Sequence, residues 1–171
     1  ANTLAGIASL GGRAAYIGKV RNDALGETFR RDIRKIGVDY RTRAATNGPS
    51  TARCLVIVTP DAQRTMSTYL GVSAGLSSED VDVDAIRASQ ITYLEGYLFD
   101  PPEAKKAFFF AAEAAHHAER QVALSLSDSF CVDRHRAEFL DLIQGHVDIL
   151  FANEEEINAL YGTKSFSDSI S

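Results

Sequence analysis

The segment HVDILFANEEEINAL, residues 146–160, decides the fold class that the sequence predicts. Its apolar run, Val147–Phe151, predicts a strand that stops at Ala152. Asn153 and Glu156 then have the spacing of a capping box, in which the asparagine oxygen accepts from the third amide and the glutamate reaches back. A strand that leads directly into a capped helix is the building unit of a parallel α/β sheet.

The same alternation of strand and helix extends back from this segment to Gly75. Asp100, followed by two prolines and Glu103, predicts a capped start for the longest helix. The predicted strands are QITYLEGYLF, QVALSLS and VDILFA, and the predicted helices are SSEDVDVDAIRAS, the stretch from Asp100 to about Arg120, DRHRAEFLDLIQG and EEEINALYG. Strands that alternate with helices in this way predict parallel pairing with right-handed crossovers.

The amino-terminal part predicts a helix, ANTLAGIASL, a strand, RAAYIGKV, and an amphipathic helix, NDALGETFRRDIRKIG. The predicted buried face of the second helix consists of Leu25, Phe29, Ile33 and Ile36. Two β-rich runs, ARCLVIVT and RTMSTYLG, are joined by four residues that include Pro60 and Asp61, and this predicts a hairpin.

Together these elements predict an α/β fold with a doubly wound, Rossmann-like, mostly parallel sheet flanked by helices. Residues 1–37 and 71–171 form the core in this prediction, and residues 38–70 form a small β lid. Ligands of such folds bind beyond the carboxyl ends of the strands. That rule selects positions 19–20, 95–97, 127–128 and 153–156 for closer examination.

The composition excludes several classes of protein. The chain has 171 residues, of which 45% are hydrophobic, so it can bury a core and disorder is not expected. Its net charge of −5 does not favour nucleic acid or an anionic membrane as a partner, and no apolar run approaches the about 18 residues of a membrane helix. Cys54 and Cys131 are far apart and form no CxxC pair, so we expect a cytoplasmic protein.

Three polar positions have two interpretations each. Asn153 and Glu156 either cap a helix alone, or cap it and also hold water around Mg²⁺, which prefers oxygen ligands and keeps several waters. Glu95 follows an apolar strand, so it either accepts hydrogen bonds from sugar hydroxyls or forms a salt bridge at the sheet edge. Arg64 follows the hairpin turn and is either solvated or binds phosphate bidentately.

Other catalytic motifs are not found. The histidines have no HExxH-type spacing, and His116 and His117 are adjacent, so on a helix they point about 100° apart. The sequence contains no GxGxxG, Walker A or GxSxG motif. We therefore expect neither a nicotinamide dehydrogenase nor a P-loop enzyme.

Three segments, in this order, resemble the ribokinase-like, or PfkB, family of carbohydrate and nucleoside kinases. ANTLAGIASLGGRAAYIGKVRNDALGETF is similar to the end of the family's first signature, TARCLVIVTPDAQRTMSTYLG to its lid hairpin, and LFANEEEINAL to its NxxE segment. The resemblance covers essentially the whole chain. The hairpin and YLEGYL look most like bacterial proteins labelled adenosine kinase or sugar kinase.

The resemblance implies ATP-dependent phosphorylation of a hydroxymethyl group on a sugar or nucleoside, with Mg²⁺ as the metal. Asn2 matches the signature asparagine that contacts substrate hydroxyls, and Glu95 falls where some members contact the sugar. Arg64 lies near a lid arginine that can approach phosphate. Asn153 and Glu156 match the NxxE pair that organises Mg²⁺ and phosphate. The implied partner is a small sugar or nucleoside, and the open strand edges of the lid suggest a homodimer.

The chain also departs from the family pattern. Arg21 and Asn22 replace the usual Gly and Asp, although Asp23 and Gly26 are kept. The DTxGAGD segment, which supplies the family's catalytic aspartate, is absent, so no catalytic base is assigned to this chain. We therefore expect these residues to be the middle of a kinase of about twice this length. The alternative is a non-catalytic metabolite-binding module with the same fold.

Overall fold

A computed structural model describes residues 1–169 of the chain. The helices are α1 (Asn2–Ser9), α2 (Ala24–Lys35), α3 (Val83–Ala88), α4 (Pro102–His117), α5 (Ser129–Arg134), α6 (Arg136–His146), α7 (Glu154–Tyr161) and α8 (Phe166–Ser169). The strands are β1 (Ala14–Tyr16), β2 (Val38–Tyr40), β3 (Arg53–Val58), β4 (Arg64–Tyr69), β5 (Ile91–Glu95), β6 (Gln121–Ser125) and β7 (Ile149–Phe151). Short 3₁₀ segments occupy Gly71–Gly75, Ser78–Asp80 and Gly96–Phe99.

The chain divides into two compact units, Ala1–Leu76 and the part from Ser77 onward. In the second unit β5, β6 and β7 form one parallel sheet in that order. The chain passes through α4 between β5 and β6, and through α5 and α6 between β6 and β7. The predicted α/β class with a mostly parallel sheet is therefore confirmed.

The core of the second unit is made by β6 and the helices around it. Val122 and Leu124 of β6 are completely buried, and so are Phe99 and Phe139, whose rings stack with centroids 4.0 Å apart. Burial of one such side chain contributes about 1.5–3 kcal/mol. The buried face of α4 consists largely of small residues, namely Ala104, Ala107, Ala111, Ala112, Ala114 and Ala115. Small side chains on that face allow the helix to lie close to the strands that it contacts.

In the first unit β1 and β2 pair in parallel, and α2 connects them. Its core cluster contains Val20, Ile33, Val38 and Tyr40, all buried. Helix α2 ends where the sequence predicts, because Gly37 has a φ of +92° that a residue with a side chain rarely adopts.

Strands β3 and β4 form a separate antiparallel hairpin, in which Val58 lies opposite Arg64. The predicted hairpin is therefore confirmed. Every residue of both strands is exposed. Val38–Tyr40, by contrast, pair with β1, so the antiparallel part of the predicted lid is Arg53–Tyr69. The division of the chain into a core and a lid at residues 38–70 stays a prediction.

Four predicted helix details are wrong. The helix predicted in SSEDVDVDAIRAS is divided into the 3₁₀ segment Ser78–Asp80 and α3 (Val83–Ala88). On α2, Ile33 is buried, but Leu25 and Ile36 are 48% and 49% exposed, because the cluster that the helix packs against includes its middle and not its ends. Asp100 does not cap α4, since its carboxylate binds Arg134 instead, and Pro101 occupies the N-cap position. The helix predicted in DRHRAEFLDLIQG is divided at His135 into α5 and α6.

In the described part of the chain, residues 1–169, no helix has both the length and the apolar character that would let it cross a membrane.

Candidate active site

Polar residues collect at the carboxyl edge of the β5–β6–β7 sheet. Glu95 ends β5 and pairs with Ser125 at the end of β6, which in turn pairs with Phe151 at the end of β7. The residues that follow these strands therefore lie along one edge. The structure thus brings together three of the predicted site residues, Glu95, Asn153 and Glu156.

Asn153 and Glu156 form the predicted capping box of α7. The Asn153 Oδ1 atom accepts from the Glu156 backbone N–H at 2.8 Å. In return, Glu156 Oε2 accepts from the Asn153 backbone N–H and Oε1 from its side-chain amide, both at 3.0 Å. The Glu156 residue is only 8% exposed, so this pair fixes the direction of its carboxylate.

Glu95 is held by neutral donors. Its Oε1 atom accepts from the Ser127 hydroxyl at 2.9 Å and from the Tyr93 hydroxyl at 3.4 Å. Within residues 1–169 no lysine, arginine or histidine pairs with it, so the alternative of an edge salt bridge is not supported. Its other oxygen, Oε2, accepts no hydrogen bond from the residues described.

The carboxylates of this edge act on one tyrosine. The pKa of the Tyr97 phenol is raised, first by its partial burial and then by the negative charges of Asp128, Glu95 and Glu156. Three carboxylates are therefore close enough to one phenol to influence it. In the described part of the chain none of the three has an ion-pair partner, so the edge is negatively charged.

This edge is suited to a hydrated cation. Both Glu156 oxygens already accept one hydrogen bond each, but a carboxylate has about four lone-pair positions, so further bonds from water remain open. Mg²⁺ keeps several of its waters and prefers oxygen partners. The Asn153–Glu156 pair therefore fits Mg²⁺ held through water better than Mg²⁺ bound directly.

The other two predicted site residues are in the first unit. Asn2 is the first residue of α1 and is exposed, with no ordered partner for its side chain among the described residues. Arg64 is the first residue of β4, opposite Val58, and is also exposed.

The sequence did not predict a carboxylate clasp in the first unit, made by Asp23 and Thr51. Asp23 Oδ1 accepts from the Thr51 hydroxyl at 2.7 Å and from the Gly26 N–H at 2.8 Å, and Oδ2 accepts from the Thr51 N–H at 2.9 Å. These bonds lower the pKa of Asp23 to about 2. The clasp gives a structural role to Asp23 and to Gly26, since a Cβ at Gly26 would collide with the Arg21 carbonyl and the Thr51 hydroxyl.

A second unpredicted cluster joins Asp100, Cys131 and His135, whose ligand atoms are close enough to share a metal ion. Two observations argue against a metal there. Arg134 binds both oxygens of Asp100, at 3.1 and 2.9 Å. Burial, followed by the charge of Asp100, raises the pKa of the Cys131 thiol to about 11, so a metal ion would have to displace the thiol proton in order to bind. The cluster is best explained as a structural link from Asp100 to α5.

Comparison with known proteins gives a consistent result. Residues 1–170 match the model of the pfkB family carbohydrate kinases. The structure is similar to that of adenosine kinase from Sinorhizobium meliloti, with 53% identity and a TM-score of 0.94, over 99% of this chain and 52% of that one. It is equally similar to a probable sugar kinase from Rhizobium etli CFN 42, with 50% identity, a TM-score of 0.94 and the same coverage.

A plant relative, the probable fructokinase-6, chloroplastic, of Arabidopsis thaliana, is 30% identical over 179 residues. That match covers 99% of this chain and 46% of the relative. The chain thus spans about half the length of the proteins that it matches.

Proposed function

Because this chain belongs to the pfkB family of carbohydrate kinases, we propose that it takes part in ATP-dependent phosphorylation of a hydroxymethyl group on a sugar or nucleoside. One observation supports this most directly. Glu95 and Glu156 lie on the same carboxyl edge of a parallel sheet, without an ion-pair partner in residues 1–169. An acceptor with hydroxyl donors and a hydrated cation are the ligands that such an edge favours.

Each residue has a distinct role in this proposal. Glu95 accepts a hydrogen bond from an acceptor hydroxyl through Oε2, the oxygen that Ser127 and Tyr93 leave open. Glu156, oriented by Asn153, accepts from the water around Mg²⁺. Asn2 and Arg64 keep the roles that the family resemblance implies, which are contact with a hydroxyl and contact with phosphate.

ATP would supply the γ-phosphoryl group, and Mg²⁺ held through water at Glu156 would neutralise part of its charge. Transfer of that group depends mainly on positioning and charge stabilisation. The group that removes the proton from the acceptor hydroxyl is proposed to lie outside residues 1–171, because no segment of this sequence matches the DTxGAGD pattern. These residues are thus proposed to bind and orient the acceptor.

The exposed hairpin favours a homodimer. Five apolar side chains of the hairpin are 51–69% exposed, namely Leu55, Val56, Ile57, Val58 and Met66. A second copy packed on the face that Val56, Val58 and Met66 share would cover these three side chains, and strand pairing along β3 or β4 would satisfy an open edge. We expect the wild type to be a dimer in sedimentation equilibrium. The double variant Val56→Lys, Met66→Lys should be a monomer. The control places two lysines at exposed Glu113 and Glu119 of the second unit and should remain a dimer. A monomeric wild type would refute this part of the proposal.

The free thiols of exposed Cys54 and buried Cys131 support the expectation of a cytoplasmic protein.

The first test is an intact mass of the native protein combined with an acceptor assay. ATP consumption is measured with adenosine, D-ribose and D-fructose, since the relatives are named as adenosine, sugar and fructose kinases. We expect Mg²⁺-dependent ADP formation with one of the three. Binding of an acceptor without ADP formation by a chain near 18.6 kDa would instead favour the non-catalytic binding module.

A further inference from the structure

Ser127 has an unusual backbone conformation. Its φ is +67°, in the left-handed region that glycine adopts freely and serine does not. The Asp128 N–H donates to the Leu126 carbonyl at 2.8 Å, so the two residues that flank Ser127 are joined by a hydrogen bond. A turn of that size with a positive φ is a strained γ-turn. Strain of this kind persists where the surrounding structure fixes it, and it clusters at ligand-binding sites.

The side chain presented by this turn contacts Glu95. The Ser127 hydroxyl lies 2.9 Å from Glu95 Oε1 and 3.2 Å from the Ser125 carbonyl. A hydroxyl has one proton to donate. The carboxylate is nearer and charged, and hydrogen bonds to charged acceptors are the stronger ones, so the proton goes to Glu95.

Neighbouring groups fix the same geometry. The Tyr93 hydroxyl approaches the same oxygen of Glu95, at 3.4 Å. Gly96 allows the turn to come this close, because a Cβ there would collide with the carbonyls of Ser125 and Leu126. Both donors therefore act on Oε1, and Oε2 is the oxygen left for a ligand.

We propose that Ser127 is a positioning residue for acceptor binding: it fixes the Glu95 carboxylate so that Oε2 faces the hydroxyl of a sugar or nucleoside. This inference rests on the function proposed above. It further specifies the acceptor as one that donates a hydrogen bond to a fixed carboxylate oxygen. A deoxy analogue that lacks that hydroxyl loses the contact with Oε2.

The test uses the native full-length protein and whichever of adenosine, D-ribose and D-fructose it phosphorylates. Ser127→Gly removes the hydroxyl and also the strain. We expect the KM for the acceptor to rise about tenfold, as expected for a lost hydrogen bond to a charged group. The KM for ATP stays at the wild-type value. The Tm is equal to or higher than that of the wild type. Ser127→Ala removes the hydroxyl and keeps the strain, so it gives the same rise in KM with a lower Tm.

Ser127→Thr is the matched control, because it keeps the hydroxyl and adds a branch at a strained φ. We expect a lower Tm with an acceptor KM near that of the wild type. A merely structural role would make the acceptor KM follow the Tm across these variants, and that result would overturn the inference.

Glu95→Gln separates this inference from the proposed function. If Glu95→Gln raises the acceptor KM and Ser127→Gly does not, the positioning role of Ser127 is wrong and the role of Glu95 stands. If an acceptor is phosphorylated but Glu95→Gln has no effect, the proposed role of Glu95 fails and this inference fails with it, while the kinase function stands. If no acceptor is phosphorylated, the proposed function itself fails.

Discussion

Asp23 in the first unit and Glu95 in the second are both carboxylates held by hydroxyl donors, but they are held differently. Both oxygens of Asp23 accept hydrogen bonds from Thr51, and one also accepts from Gly26. For Glu95, all the donors among residues 1–169 approach a single oxygen. The comparison teaches that the number of satisfied oxygens, rather than the exposure of the residue, distinguishes a carboxylate that supports the fold from one that is open to a ligand.

Glu156 is the case that can break this comparison. Both of its oxygens are satisfied, as in Asp23, yet we propose a role with Mg²⁺ for it. Glu156→Gln keeps the capping box, since glutamine also serves at that position, and removes the charge. We expect Mg²⁺-dependent kcat to fall about 100-fold, the upper range for a residue that acts on a metal through its outer sphere, with partial recovery at high Mg²⁺.

The control is Glu155→Gln, a neighbouring exposed residue that makes the same change in charge. It is expected to leave kcat unchanged. Full activity of Glu156→Gln at low Mg²⁺ would show that Glu156 is only a cap, and it would then belong with Asp23.

The next largest effect tests the clasp itself. Thr51 is buried, and its hydroxyl donates to Asp23 and accepts from the Arg21 N–H at 3.0 Å. Thr51→Val keeps the shape and removes both bonds. We expect the free energy of unfolding to fall by about 1–2 kcal/mol, because the hydrogen bond to the charged Asp23 carboxylate and the one from the Arg21 N–H are both lost. Urea denaturation measures this value.

Thr42 supplies a matched control in the same unit. It is also buried, but its hydroxyl has no hydrogen-bond partner among residues 1–169. Thr42→Val should therefore be neutral or stabilising, because a buried hydroxyl without a partner is unfavourable. Equal losses for Thr42→Val and Thr51→Val would contradict the clasp.

The clasp also predicts a pH dependence. Hydrogen bonds from the Thr51 side chain, then from the Thr51 and Gly26 backbones, lower the pKa of Asp23 from 3.8 to about 2. Because the pKa of Asp23 is lower in the folded state than in the unfolded state, the ionised carboxylate stabilises the fold. This contribution of Asp23 to the free energy of unfolding is complete above pH 3.8 and is lost as the pH falls towards 2. We expect Asp23→Asn to reduce the loss of stability between pH 5 and 2.5. Denaturation curves at several pH values measure this loss, and an unchanged slope would refute the assignment.

The smallest effect is a titration shift at the carboxyl edge. Burial, then Asp128, Glu95 and Glu156, raise the pKa of Tyr97. Glu95→Gln removes one of these charges, so the Tyr97 pKa should move down towards 10, as followed by NMR with ¹³C-labelled tyrosine. Glu113→Gln on α4 removes a charge that does not act on Tyr97 and should have no effect. If the Tyr97 pKa is unchanged in Glu95→Gln, the carboxylate of Glu95 does not act on Tyr97 and this part of the comparison is wrong.

The sequence predicts those features that depend on neighbours along the chain. The Asn153–Glu156 box is visible because its partners are three residues apart. The hairpin is visible because a short turn with Pro60 and Asp61 separates two β-rich runs. The carboxyl-edge position of Glu95 follows from the alternation of strands and helices.

Features that depend on distant partners could not be predicted. Asp23 and Thr51 are 28 residues apart, and no local pattern connects them. Asp100 has the local signature of a helix cap, but the charge-assisted bonds to Arg134, 34 residues away, take its carboxylate. The strained φ of Ser127 has no sequence signal, since glycine is the usual residue there.

The order of the β5–β6–β7 sheet has a consequence for protein synthesis. Leu94 pairs with Leu124, thirty residues later, and Leu124 pairs with Leu150, twenty-six residues later. At translation rates of about 5–20 residues per second, each strand leaves the ribosome roughly one to six seconds after its partner. Every pairing in this sheet is therefore made with a strand that already exists. The sheet can grow in the direction of translation, and no earlier strand has to wait for a distant one.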